Sequence, residues 1–368
     1  MQIKTIPFSE LSHDIEASWL GWIAADSRHQ SPFLHPEFSR AVNTATNDVE
    51  CAIAFENGMP VSILPFQRIS KRAAGPVGGY LSDQQGWISS PGQQLHFTNL
   101  LDSTELRSFR FHMLPLGETP DLSCMALRRT TVYADIANGF ESYEAKKKSL
   151  GSNVVSKLAQ KERKISHEVG PLRIDLGYSD ESFESFLQWK DDACRKRCVK
   201  NILATKPALL TVRSLVESAK DDRHDFRLQY CRLMAGDSLV AVHLGLICHD
   251  RLAAWLPAYN PLFCRYSPGL LILMQLLRNC EQWGIHRVHF GTGEQAFKNR
   301  FMTDKATMLE GIADQRLIHS VMHFCWLKAR DIAKTSILRR PLQHAWFHSN
   351  IQTEVKLSRN RFGLAERR

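Results

Sequence analysis

The most constraining pattern in the chain lies between positions 226 and 284, where three strand-like runs are followed at once by a proline-glycine helix start. Residues 226–234 and 238–248 bracket the turn Ala235-Gly236-Asp237, and residues 252–259 form a third run, so the segment predicts an antiparallel meander. Ser267-Pro268-Gly269 then opens the apolar run 270–277, which reads as a helix continuing to Trp283 and stopped by Gly284, and residues 287–290 return as a short strand. Upstream of the meander, residues 172–176 read as a strand and residues 180–197 and 206–219 as helices, which places this half of the chain in the α/β class.

The first 140 residues read as a second mixed block. Helical spacing covers residues 14–24 and the segment after Pro36, and the runs 51–55 and 60–66 bracket Glu56-Asn57-Gly58, a hairpin signal. A Gly/Pro-rich stretch, residues 73–92, follows. Residues 143–169 are basic, helically spaced and closed by Gly170-Pro171. The expected organisation is a first module over 1–142, a linking helix over 143–170, a second module over 171–326 and a basic tail over 327–368. The halves share no identifiable sequence repeat, so any duplication has to be structural.

With 368 residues there is ample length for a buried core, and 43% hydrophobic against 23% charged residues excludes disorder and low complexity as global descriptions. No run approaches the roughly 18 apolar residues of a spanning helix, and the opening residues lack the pattern of a signal peptide, so a cytoplasmic protein is expected. Nine cysteines without paired spacing read as scattered thiols. Cys194 and Cys198 share a helix face, but no second ligand pair with zinc spacing follows, and no metal is expected. The net charge of +9 is concentrated in residues 328–368, with ten basic to three acidic side chains, and in residues 146–164, with seven to one.

Several residues have the chemistry of a site. Free amides at Ser267, Gly269 and Leu270, where the helix dipole favours an anion, suit a phosphate; the simpler reading is a helix cap. Glu294 and Lys298 lie four apart after a glycine-bearing strand end and present a carboxylate and an ammonium together, or else form a surface ion pair. His243 faces away from Val242 and Leu244 and is either a base or a core histidine. Asp83, in Ser82-Asp83-Gln84-Gln85-Gly86, is a substrate contact or turn chemistry. Trp255 and Tyr259, at i and i+4 on a strand, share a face that meets substrate or packs in the core. No full Walker A or dinucleotide pattern is present, which argues against nucleotide hydrolysis and hydride transfer.

Several motifs occur in order: Ser31-Pro32-Phe33-Leu34-His35-Pro36, Leu64-Pro65-Phe66, Ser82-Asp83 with Gln85-Gly86, Trp189-Lys190, Trp255-Leu256-Pro257-Ala258-Tyr259-Asn260, Tyr266-Ser267-Pro268-Gly269, and Phe290-Gly291-Thr292-Gly293-Glu294 with Lys298. From about residue 30 to residue 310 the chain resembles the CelD/BcsL family of acetyltransferase-like proteins, a branch of the GCN5-related N-acetyltransferase (GNAT) superfamily akin to the FemAB transferases. The resemblance implies an α/β (α+β) fold of two tandem acetyltransferase-like modules, each a mixed, largely antiparallel sheet flanked by helices. It also implies acetyl-CoA or another acyl-CoA as donor on the second module, entering where the strand ending at Tyr259 splays, with its pyrophosphate at Ser267, Gly269 and Leu270. The family's Asp-Phe-Gly-Arg-Gly-Asp is His289-Phe290-Gly291-Thr292-Gly293-Glu294 here, and Phe297 stands where a Tyr is usual.

The expected function is an acyl-CoA-dependent N- or O-acyltransferase acting on a sugar or precursor in bacterial exopolysaccharide or cellulose synthesis. Glu294 or His243 is the expected base, Lys298 stabilises negative charge, and Asp83, Trp255 and Tyr259 contact substrate. Two alternatives remain at this point: an aminoacyl-tRNA-dependent FemAB-like transferase, and a non-catalytic scaffold of a membrane polysaccharide synthase touching the inner membrane peripherally. No specific nucleic acid is expected.

Overall fold

The computed structural model describes residues 1–115, 124–218, 225–292 and 296–335. The first half runs β1 (Gln2–Pro7), α1 (His13–Ala25), α2 (Pro36–Thr46), β2 (Val49–Glu56), β3 (Met59–Ser70), β4 (Ala73–Gly75), β5 (Ile88–Ser89), α3 (Phe97–Ser103), β6 (Ser108–Pro115) and β7 (Cys124–Asp135). Two helices follow, α4 (Gly139–Ser149) and α5 (Val154–Glu168). The second half runs β8 (Leu172–Leu176), α6 (Asp180–Lys196), α7 (Lys206–Ser218), β9 (Phe226–Ala235), β10 (Ser238–Cys248), β11 (Arg251–Tyr259), α8 (Pro268–Asn279), β12 (Arg287–Thr292), α9 (Ala296–Phe301), β13 (Asp304–Asp314) and α10 (Leu317–Thr335).

Local chemistry explains the element ends. Asn57 and Gly58 both take positive φ, 51° and 81°, and close the β2–β3 hairpin as the sequence predicts. The Ser12 and Ser179 hydroxyls accept from the backbone N–H groups of Ile15 and Ser182 and cap α1 and α6. Gly151, at φ 73°, lies in the break that makes the expected single linking helix into α4 and α5.

The thirteen strands of the described residues join one mixed sheet in the order β1-β2-β3-β4-β6-β13-β7-β12-β11-β10-β9-β8, with β5 added on β3. The two halves repeat one plan: a strand, two helices, an antiparallel meander, a helix and a strand parallel to the last of the meander. In the first half β4 runs parallel to β6, and in the second β11 runs parallel to β12. The duplication that the sequence hides is therefore present in the backbone.

The halves are also stitched together. β7 follows β6 in the chain but pairs with β12, whereas β13 follows β12 but lies between β6 and β7. The boundary expected at residue 326 thus assigns to the second module a strand that completes the first, and it also cuts α10 in two. Of the expected tail, residues 327–335 are helix and residues 336–368 lie outside the described residues. On one face of the sheet Phe33, Phe38 and Val42 of the first half share a core with Phe183, Phe186 and Val212 of the second. The opposite face of the second half packs α5 and α8 through Leu158, Ile165, Leu271 and Met274. Burial on this scale, at about 25 cal/mol per Å² of apolar area, is the main stabilising contribution.

Candidate active site

The site begins with a strand that changes face. Between Leu244 and Leu246 of β10 the pairing jumps from Leu256 to Ala253 on β11, so β11 carries one extra residue in a β-bulge. Gly245 opposes the bulge, and a Cβ there would lie 2.5 Å from Leu252 Cδ1. The extra residue reverses the alternation. Trp255 packs with the first core while Tyr259 lies against α8, where Tyr259 Cδ1 is 3.3 Å from the point a Gly269 Cβ would occupy. The expectation that Trp255 and Tyr259 share a face is therefore corrected. Trp255 is held between the modules: its indole Nε1 donates to the Leu81 carbonyl at 2.8 Å, and its ring meets Phe33 and Phe38 edge-on. Tyr259 stays 42% exposed beside the helix start.

β11 then parts from β12. The two pair only through Arg251–Ala253 with Arg287–His289, after which β11 continues along β10 to Tyr259 and β12 turns to meet β7 at Thr131. Ser267 caps α8 in the left-handed region, φ 60° and ψ 55°. Its carbonyl accepts from the Leu270 and Leu271 amides at 2.9 and 3.1 Å, and its own amide donates to Cys264. Of the three amides expected to cradle a phosphate, those of Ser267 and Leu270 are thus engaged within the backbone, and the first turn presents Gly269. Lys161 belongs to the basic segment 146–164 and was not singled out within it. Its ammonium donates to Ser267 Oγ at 2.8 Å and to the Arg265 carbonyl at 3.1 Å, bringing positive charge from α5 to the start of α8. Glu162 bonds Gln275 and Arg278, and Glu168 accepts from Tyr266 and Arg265, which hold α5 in place.

A second group of residues lies at the seam. Gly291 follows His289 and Phe290 on β12 at φ 70°, and a Cβ on it would lie 2.7 Å from Asp83 Oδ2. Only glycine lets the Asp83 carboxylate of the first module settle so closely on the backbone of the second. The Asp83 loop is pinned from both sides: Ser82 Oγ donates to the Gln84 carbonyl at 2.7 Å, Gln84 Nε2 donates to the Arg28 carbonyl at 2.9 Å, and a ring nitrogen of His112 lies 2.9 Å from the Ser82 carbonyl. Lys298, on α9, is buried and interacts electrostatically with Asp83. Burial raises the Asp83 pKa, opposed by the Lys298 and His112 charges; burial lowers that of Lys298, opposed by Asp83. A small cavity of about 30 Å³ is lined here by Ser31, Asp83, Gln84, Arg251, His289 and Gly291. Arg251 is a cavity residue that the sequence reading did not single out, and His289 is the one that stands where the resembling family has Asp. Burial and the charges of Arg251 and Arg287 push the His289 pKa down to about 3, so its imidazole is neutral.

Glu294 lies outside the described residues. His243 is fully enclosed, neither ring nitrogen has a hydrogen-bond partner among the described residues, and burial, aided by the Lys190 charge, brings its pKa to about 3, so the imidazole is neutral and set in the core. Among the described residues no three His, Cys, Asp or Glu side chains come together to hold a metal ion, and no helix is long and apolar enough to cross a membrane.

The parted strands, the helix start and the meander before them occupy the span 152–299, which matches the acetyltransferase (GNAT) domain family. The fold of the whole chain is similar to that of FemX, with a TM-score of 0.54 at 8% identity, covering 83% of this chain and 95% of that one. It is also similar to the C-terminal domain of an Agrobacterium fabrum protein named as a lysylphosphatidylglycerol synthetase, with a TM-score of 0.52 at 12% identity over 85% and 97% of the two chains. No curated protein matches the chain in sequence. The chain is accordingly a mixed α/β fold built on one long sheet, of which residues 152–299 match the acetyltransferase (GNAT) domain family.

Proposed function

We propose that the protein transfers an acyl group from acetyl-CoA or a longer acyl-CoA to a hydroxyl or amine of a sugar unit or precursor of a surface polysaccharide, with the donor on the second module and the acceptor at the seam. The observation that carries this reading is the Asp83 carboxylate of one module lying against Gly291, beside Lys298, on the other. The sugar acceptor itself rests on the resemblance to the CelD/BcsL family. The parted edge of β11, the Gly269 amide and the Lys161 ammonium form the pantetheine and phosphate path; a backbone edge and clustered positive charge suit an amide-bearing, phosphorylated arm.

In this reading Asp83 takes the proton of the acceptor O–H or N–H as the oxygen or nitrogen attacks the thioester carbonyl. The C–S bond then breaks, and the departing thiolate receives the proton from Asp83, so no proton is lost from the balance. The raised pKa of Asp83 brings it closer to the acceptor's and makes it a better base than an ordinary carboxylate. Lys298 places an ammonium against the negative charge that develops in transfer, in a site where burial strengthens the attraction. Glu294, between β12 and α9, is the other carboxylate proposed as base, and Tyr259 forms the exposed wall beside the helix start.

The test is release of free thiol from acetyl-CoA and a longer acyl-CoA in the presence of amino sugars, hexoses and nucleotide sugars, with Asp83→Asn, Glu294→Gln and Lys298→Met in parallel. Loss of about 10²-fold or more in turnover for Asp83→Asn, with donor binding retained, supports the assignment. Full turnover in Asp83→Asn with loss in Glu294→Gln moves the base to Glu294. Failure to bind either thioester, together with salt-dependent binding of tRNA, overturns the acyl-CoA reading in favour of aminoacyl transfer.

A further inference from the structure

Helix α10 is built the wrong way round for a helix that lies on a sheet. A surface helix usually turns its apolar stripe inward and its charges outward. Towards β13 and β7, α10 turns Ser320, Leu327 and a charged cluster: Arg330 bonds Glu310 twice at 2.8 Å, and Asp331 meets Arg129 at 2.6 Å. Towards solvent it turns Leu317, Ile318, Val321, Met322 and Trp326, of which Ile318 is 74% and Trp326 49% exposed. These positions recur at three to five residues and form one continuous stripe, the kind of exposed apolar surface that marks an interaction site.

The charges around the stripe say what covers it. Asp331 is the one acidic residue of α10, and it is turned onto Arg129, so the outward face carries no carboxylate. Lys328 is exposed on that face, and the sequence that continues from the helix, residues 336–368, holds seven Lys or Arg against two acidic residues, with Trp346 and Phe347 among them. A second copy of the chain would bring this positive charge against itself. A bilayer of anionic lipid answers both halves of the surface, taking apolar side chains and an aromatic at the interface and drawing basic residues to its phosphates.

We propose that the outward face of α10 is a docking surface for anionic membranes, which would hold the enzyme beside lipid without any spanning segment in the described residues. The inference is independent of the acceptor proposed above. The test is co-sedimentation of the full chain with vesicles of phosphatidylcholine alone and of phosphatidylcholine with phosphatidylglycerol, for the wild type, Trp326→Phe and the triple variant Ile318→Ser, Met322→Ser, Trp326→Ser. The exposed positions leave folding intact, checked by an unchanged melting curve. Binding is expected only with phosphatidylglycerol, weakened by salt, kept by Trp326→Phe and reduced about tenfold or more by the triple variant. Three results overturn the proposal: no binding to phosphatidylglycerol vesicles, equal binding of the triple variant and the wild type, or a concentration-dependent dimer that the triple variant abolishes while vesicle binding is absent.

Discussion

Replacing Gly291 by Ala tests the seam more sharply than removing a charged group, because it leaves every functional side chain in place. The new Cβ would stand 2.7 Å from Asp83 Oδ2, and ordinary contact begins at 3.4 Å, so the carboxylate must retreat by about 0.7 Å. Gly291 also has φ 70°, where a Cβ costs roughly 1–2 kcal/mol. A misplacement approaching 1 Å in a catalytic constellation lowers turnover by about 10²-fold. Gly291→Ala is therefore expected to melt a few degrees lower and to release thiol about 10²-fold more slowly at saturating substrate. Its affinity for acyl-CoA should be unchanged, since the proposed phosphate path runs over α5 and α8. The assays are thiol release, calorimetric titration with the donor and a thermal melt. Turnover within about twofold of wild type, in a protein that shows the lower melting temperature, would refute the claim that Asp83 works from its position on Gly291.

Three further outcomes follow from the charges. Burial raises the Asp83 pKa, so its ionisation opposes folding as pH rises from the unfolded value towards the raised folded one; Asp83→Asn should therefore melt higher at neutral pH while losing turnover, and a lower melting temperature would contradict the burial argument. His243 and His35 are buried with pKa values lowered from 6.5 to about 3, so the unfolded chain binds protons that the folded chain does not, and stability falls as pH drops from 6.5 towards 3 by roughly 1.4 kcal/mol per pH unit for each group. His243→Leu should flatten that fall in melting curves taken across the window and keep turnover within about twofold; a large loss of turnover in the folded variant would return His243 to the chemistry. Lys161→Met should weaken acyl-CoA binding about tenfold and reduce its salt dependence, read by titration at two ionic strengths, whereas unchanged affinity would remove Lys161 from the phosphate path.

What the sequence made legible follows from the range of the interactions. The β9–β10–β11 meander and α8 are specified by alternation and by glycines and prolines within a few residues, and their bounds match the reading closely. β13 was not read, because its partners Cys124–Tyr133 and Ser108–Pro115 lie far back in the chain and its own pattern, Asp304-Lys305-Ala306-Thr307, is polar at the start. Trp255 and Tyr259 could not be put on opposite faces without the bulge at Gly245, which is a property of the pairing and not of either strand. Asp83 was legible as a polar residue in a glycine-rich loop; that it would meet Gly291 was not, since this depends on how the two modules are joined.

The duplication also bears on how many donors one chain binds. In the second module the parallel strands β11 and β12 part after three paired residues. In the first module β4 and β6 are likewise parallel, paired only through Ala73 and Ala74, and α3 stands in the place of α8. The space there is full: Phe97 of α3 stacks on Phe109 at 4.7 Å and on Phe111 at 5.4 Å, and Trp87, Leu100 and Leu101 join the same core. The chain that leads from β4 to α3 instead makes an excursion to the other module, where Leu81 takes the Trp255 indole and Asp83 meets Gly291. The strands of both modules part, but in the first module aromatic side chains fill the space in front of its helix, and the loop before that helix reaches across to the second. Titration of the full chain with acyl-CoA should return one site per chain. A second site of similar affinity that survives Gly269→Asp would show that the aromatic stack of the first module yields to a ligand, and would refute this division of labour.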